Sequence, residues 1–179
     1  MLKNDMSEIL VSEEQLQETI KKLGATLAED YRGKDPLVIC ILKGAIFFMA
    51  DLVRAMDCNL EIDFMDVSSY GNEFESSGEV RILKDLDRSV EGKNVLVVED
   101  IVDTGTTLHY LLDNLKARGA KSVRLVALLN KPERRKMDVD VDYVGFTVPD
   151  YFVVGYGLDY AEQYRQLPYI GILKESVYQ

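Results

Sequence analysis

A chain of 179 residues with 47% hydrophobic residues can bury one core, and a single domain over 1–179 is expected. Its formal net charge of -10, from 31 acidic against 21 basic residues, repels phosphate backbones and speaks against a nucleic-acid partner. One histidine (His109) and two cysteines without ligand spacing (Cys40, Cys58) speak against zinc, and unpaired thiols suit a cytoplasmic location.

The N-terminus has no basic region followed by an apolar one, and no apolar run approaches membrane-spanning length, so neither a signal peptide nor a membrane partner is expected. Ser12-Glu13-Glu14-Gln15 reads as a capping box that opens a helix, with Leu16, Ile20, Leu23 and Leu27 at helical spacing. Leu37 to Leu42 is a short, partly β-branched apolar run and reads as a buried strand. Lys43-Gly44 breaks it, and Ala45 to Met56 follows as a helix. Leu60 to Ser69 reads as a strand. Tyr70 to Glu79, rich in Gly, Ser, Asn and Glu, reads as a loop, and Val80 to Leu83 as a short strand beyond it. Val95 to Val98 is the clearest strand. An acidic loop follows it, then a helix marked by Leu108, Leu111, Leu112 and Leu115 and closed by Arg118-Gly119. Ser122 to Leu129, Val141 to Val148 and Phe152 to Gly155 complete the strands. Strands alternating with helices indicate right-handed crossovers and a mainly parallel α/β sheet with helices on both faces. In such sheets ligands bind beyond the carboxyl ends of the strands, which selects Lys43-Gly44, Glu99 to Thr107 and Asn130-Lys131.

The segment Val97-Val98-Glu99-Asp100-Ile101-Val102-Asp103-Thr104-Gly105-Thr106-Thr107 carries the chemistry. A Thr/Gly/Thr/Thr loop entering a helix offers backbone N–H groups, hydroxyls and the positive end of the helix dipole to one anion. Gly105 allows a tight turn and close approach of a phosphate. Glu99 and Asp100 repel phosphate, but they can accept hydrogen bonds from a vicinal diol or orient Mg²⁺. A ribose 5-phosphate satisfies both halves. A nucleoside triphosphatase would also need G-x-x-x-x-G-K-[ST], which is absent. A receiver domain would need an acidic pair where this chain has Leu42-Lys43-Gly44.

These residues resemble the type I phosphoribosyltransferases, whose phosphoribosyl pyrophosphate motif is similar to E-D-x-x-D-T-G-x-T. Leu42-Lys43-Gly44, Ser68 to Gly71, Leu129 to Pro132, Pro149 to Tyr160 and Arg165 narrow the likeness to the hypoxanthine-guanine branch, in order from about Leu37 to Ile172. The resemblance implies a mainly parallel twisted sheet flanked by helices, with a small hood formed by terminal segments. It also implies transfer of the phosphoribosyl group from phosphoribosyl pyrophosphate to N9 of hypoxanthine or guanine. Asp103 would be the catalytic general base or proton relay near N7 and would border the phosphoribosyl pyrophosphate. Thr104, Gly105, Thr106 and Thr107 would hold the 5-phosphate, and Glu99 and Asp100 the ribose. Lys43, Gly44 and Arg165 would serve the pyrophosphate, near a strained or non-proline cis peptide. Lys131 would donate to the purine 6-oxo group, Phe152 would stack on the base and Val153 would contact it through its backbone. Asp159 would border the purine and hold a second Mg²⁺ beside the one on Glu99 and Asp100. Ser69 and Tyr70 would form a lid. A homodimer or homotetramer is implied, with Ala45 to Met56 offering an exposed apolar contact. Thr106 stands where some relatives carry Lys, and the Gly157 position varies among them, which leaves affinity and base preference open. Transcription regulators share the phosphoribosyl site, but they need a basic face that this acidic chain lacks. Lys43, Lys131 and Phe152-Val153 argue against orotate and adenine as substrates; xanthine stays open.

Overall fold

In the computed structural model, which describes residues 1–69 and 80–179, short apolar strands alternate with amphipathic helices. In chain order these are β1 (Met6–Val11), α1 (Glu13–Asp30), β2 (Leu37–Leu42), α2 (Ile46–Arg54), β3 (Glu61–Ser69), β4 (Val80–Lys84), β5 (Asn94–Val102), α3 (Thr106–Ala117), β6 (Ser122–Asn130), β7 (Tyr143–Thr147), β8 (Val153–Val154), β9 (Ile170–Leu173) and α4 (Glu175–Tyr178). The α1 capping box forms in both directions: the Gln15 N–H donates to Ser12 Oγ, and the Ser12 N–H donates to Gln15 Oε1. Such a cap is worth about 0.5–2 kcal/mol.

The main sheet has the order β4-β3-β2-β5-β6-β7. β3, β2, β5, β6 and β7 run parallel, and β4 joins the β3 edge antiparallel. The central strands are buried on both faces, so they read as continuous apolar runs rather than alternating ones. Val38, Cys40, Leu96, Val98, Val126 and Leu128 meet α1 and α2 on one face. Leu37, Ile39, Val95, Val97, Leu125 and Ala127 meet Leu108, Leu111, Leu112 and Leu115 of α3 on the other. From β2 the chain steps to β3 on one side, and β5 then lies against β2 on the other. That reversal opens a crevice between the carboxyl ends of β2 and β5.

A second sheet, β1-β9-β8, is antiparallel and pairs an N-terminal strand with a C-terminal one. It forms the expected hood, over a small cluster of Met6, Val154, Tyr164 and Leu173. No described helix is long and apolar enough to cross a membrane.

Several expectations need correction. β5 continues to Val102, so Glu99 and Asp100 lie on the strand and not in a loop after it. The expected strand Phe152 to Gly155 shrinks to Val153–Val154 and belongs to the hood, paired with β9. β1 and β9 escaped the pattern reading as strands. β1 is paired through two register irregularities that erase a clean period of two. The helix expected from Ala45 to Met56 runs from Ile46 to Arg54; Ala45, Phe48, Met49, Leu52 and Met56 are buried in the core, while Phe47 and Ala50 are exposed.

Candidate active site

The crevice is floored where the loop after β2 crosses the end of β5. The Leu42-Lys43 peptide is cis, as the resemblance implied. Gly44 lies against the Asp100 carboxylate: a Cβ on Gly44 would lie 2.7 Å from Asp100 Cγ and closer still to Oδ2. Gly157 closes on the other side, where its positive φ and the nearby Gly44 carbonyl leave no room for a side chain. Gly44, Asp100 and Gly157 therefore form one tight junction between β2, β5 and the segment after β8.

Both carboxylates are half-buried at this junction. The Asp100 N–H donates to Glu99 Oε1 at 3.0 Å, and the Ile101 N–H donates to Asp100 Oδ1 at 2.6 Å. Desolvation, then the charge of Asp100, pushes the Glu99 carboxyl well above the ordinary carboxylate range. Desolvation also raises Asp100, against the pull of its hydrogen bonds and of the Arg165 guanidinium. Two adjacent carboxylates with a desolvation penalty fit a hydroxyl donor or a hard cation, either of which would relieve it. Among the described residues no three acidic, histidine or cysteine side chains gather as a metal cage. A divalent ion here would therefore complete its shell with phosphate oxygens and water, the habit of Mg²⁺.

Beyond β5 the backbone turns through Asp103 and Thr104 into Gly105, which caps α3 with φ 81°. No side chain caps that helix, and Gly105, Thr107 and Leu108 at its start line a concavity together with Glu99, Ile101, Asp103 and Thr104. The loop after β6 clasps this turn. The Lys136 and Met137 N–H groups donate to the Thr104 carbonyl at 2.8 and 3.2 Å, and Arg135 Nε donates to the Asp103 carbonyl at 3.2 Å. A Cβ at Gly105 would sit 2.8 Å from the Met137 carbonyl oxygen, so close approach as well as positive φ calls for glycine.

On the third side Lys131 follows β6 and is only 5% exposed. Its ammonium donates to the Tyr151 carbonyl and lies 3.6 Å from Asp150 Oδ1. Arg134 stands between Asp150, at 3.7 Å, and Asp103, at 3.2 Å. Asp103 Oδ1 is itself buried without an aligned hydrogen-bond donor. Val153 is buried and paired with Ile172, whereas Phe152 stays 39% exposed.

The cations expected at the pyrophosphate end converge on a residue that sequence reading missed. Lys43 Nζ lies 2.9 Å and Arg165 Nη2 3.2 Å from the Glu162 carboxylate. Arg165 also donates to the Gly157 carbonyl at 2.7 Å and pairs with Asp159 at 3.3 Å, yet its Nε is buried without a partner. Ala161, Glu162 and Tyr164 all have positive φ, a turn that carries no glycine signal. Ser69 ends β3 opposite Val80, while Tyr70 and the rest of the expected lid loop lie outside the described residues.

The family comparison agrees with this geometry. Residues 7–161 match the phosphoribosyl transferase domain model. The chain therefore belongs to the phosphoribosyltransferase family. Within it, the chain is 58% identical to the hypoxanthine-guanine phosphoribosyltransferase of Bacillus subtilis, over all of this chain and 99% of that protein. It is 61% identical to part of the bifunctional protein TilS/HprT of Listeria monocytogenes, an alignment that takes in 98% of this chain but only 27% of that protein. A crystal structure of a hypoxanthine phosphoribosyltransferase from Staphylococcus aureus superposes with a TM-score of 0.97 at 53% identity, covering 99% of this chain and 97% of the other. The motif-based likeness to the hypoxanthine-guanine branch is thus borne out across the whole chain.

Proposed function

We propose that this chain transfers the phosphoribosyl group of phosphoribosyl pyrophosphate to N9 of hypoxanthine or guanine, yielding IMP or GMP and pyrophosphate for purine salvage. The observation that supports it best is the crevice between β2 and β5. There, paired carboxylates lie between an uncapped helix N-terminus and two cations sharing one carboxylate, with Arg165 near enough to act on Asp100. The uncapped N–H groups of α3, with Thr104, Thr106 and Thr107, suit the 5-phosphate. Glu99 and Asp100 suit the ribose hydroxyls and, with Asp159 for a second ion, the Mg²⁺ that would offset charge on the pyrophosphate. Lys43 and Arg165 suit the leaving group, and the unpartnered Arg165 Nε is a donor awaiting an acceptor.

Cleavage at the anomeric carbon leaves positive charge on the ribose, which Glu99 and Asp100 flank. Asp103 would take the proton from the purine imidazole edge as N9 bonds to the sugar, and Arg134 at 3.2 Å would share the charge of its carboxylate. Lys131 is a donor-only group buried beside the base site. It suits the 6-oxo oxygen of hypoxanthine or guanine and opposes the amino group of adenine. One of its N–H groups donates to the Tyr151 carbonyl. Phe152 offers an exposed ring for stacking, and the Val153 backbone lies beside it.

The test is turnover with hypoxanthine, guanine, xanthine and adenine in the presence of phosphoribosyl pyrophosphate and Mg²⁺. Oxopurines should react and adenine should not; adenine as the best substrate would overturn the base assignment. Residues 1–179 as one folding unit, a homodimer or homotetramer and a cytoplasmic location complete the proposal, and sedimentation of the purified protein reads the oligomeric state directly.

A further inference from the structure

Phe152 does not stand alone. Its ring stacks on Tyr178 with centroids 4.6 Å apart and planes 18° from parallel, and Tyr160 meets its edge at 5.7 Å and 82°. An exposed phenylalanine is ordinarily free to turn about its side-chain bonds, and a ring that turns must be immobilised each time a base stacks on it. Here one face and one edge are already fixed. Tyr178 is held in turn: β9 passes beside Phe152, with the Leu173 N–H donating to the Phe152 carbonyl at 2.9 Å. α4 then folds Val177 and Tyr178 onto the hood cluster of Met6, Val154, Tyr164 and Leu173. Val153, by contrast, packs into the main core beneath the crevice. Tyr178, anchored on the hood, takes one face of the Phe152 ring, and Phe152 remains 39% exposed.

The geometry points to Tyr178 as a positioning residue for the purine: it backs Phe152 so that the base completes a three-layer stack of Tyr178, Phe152 and purine. This rests on the reading of Phe152 as the purine platform. The hydroxyl is incidental, because the contact is ring on ring; the flat face is what matters.

The experiment is steady-state kinetics on the full chain with Tyr178→Ala, Tyr178→Leu, Tyr178→Phe, Phe152→Ala and the Tyr178→Ala/Phe152→Ala double variant. Tyr178→Ala should raise the KM for hypoxanthine by about three- to tenfold, the worth of one aromatic pair, and leave the KM for phosphoribosyl pyrophosphate in place. Tyr178→Phe should rescue it. Tyr178→Leu keeps apolar packing against the hood but offers no flat face, and should behave like alanine. In the Phe152→Ala background, Tyr178→Ala should have no further effect, since its partner is gone. A raised KM in Phe152→Ala beside an unchanged one in Tyr178→Ala overturns the inference alone. An unchanged KM in Phe152→Ala overturns the stacking role of Phe152 and the inference with it. A lower KM in Tyr178→Ala would mean that Tyr178 sits on the face the purine needs, which also overturns the inference.

Discussion

Gly44→Ala should damage phosphoribosyl pyrophosphate handling while sparing the fold. The backbone at Gly44 is not left-handed, so alanine meets no conformational penalty there. Its methyl group meets the Asp100 side chain instead, 2.7 Å from Cγ and overlapping Oδ2. To reach ordinary contact the carboxylate must retreat by roughly 1 Å or the loop must lift by as much. The first route breaks the 2.6 Å bond from the Ile101 N–H, and the second moves the Gly44 carbonyl off Gly157. Misplacing one charged hydrogen-bonding group costs about 1.5–3 kcal/mol. That corresponds to about a ten- to hundredfold loss in kcat/KM for phosphoribosyl pyrophosphate. Global stability should barely change, because Asp100 is held with its charge partly desolvated and contributes little to the core; a Tm drop within about 4 °C is expected. Kinetics at varied phosphoribosyl pyrophosphate, together with thermal unfolding, measure both. A kcat/KM within about twofold of the parent, at unchanged Tm, would show that the junction does not position Asp100 for the substrate.

Glu99→Gln should raise the Tm of the ligand-free protein near pH 8 while lowering kcat/KM for phosphoribosyl pyrophosphate. A carboxyl with a raised folded-state pKa stabilises the fold at low pH and loses that contribution as pH rises through the raised value. The parent should therefore gain stability as pH falls from the alkaline side toward the ordinary carboxylate range, and the variant should show a flatter profile; identical profiles would count against the burial argument. Asp103→Asn should cut turnover by about a hundredfold or more with circular dichroism and Tm preserved, and an unchanged rate would remove Asp103 from proton handling. Glu162→Gln removes the negative charge that Lys43 and Arg165 share, so inorganic pyrophosphate should inhibit about two- to fivefold more strongly; an unaltered inhibition constant would mean that Glu162 does not compete for that seat.

What could be read in the sequence was whatever is encoded within a few neighbouring residues. The capping box of α1, the doubly buried runs of β2, β5 and β6, and the Asp103-Thr104-Gly105 turn each carry their own signal, and each stands where the pattern put it. The strand end of β5 was misjudged because Glu99 and Asp100 look like loop residues; they stay on the strand because its carboxyl end opens into a crevice, where polar side chains keep partners. What stayed hidden depends on distant segments meeting. β1 exists as a strand only through β9, at the other end of the chain, and Tyr178 reaches Phe152 only because β9 lies between them. Glu162 shows the same limit at the level of chemistry. In the sequence it is one of 31 acidic residues, with nothing to set it apart. It becomes a member of the site only where a glycine-free left-handed turn places it within ion-pair reach of both Lys43, from the end of β2, and Arg165. Motifs name the groups that must touch a ligand. The groups that hold those in place are selected by the fold, so they are found by following each motif residue to its partners across the crevice.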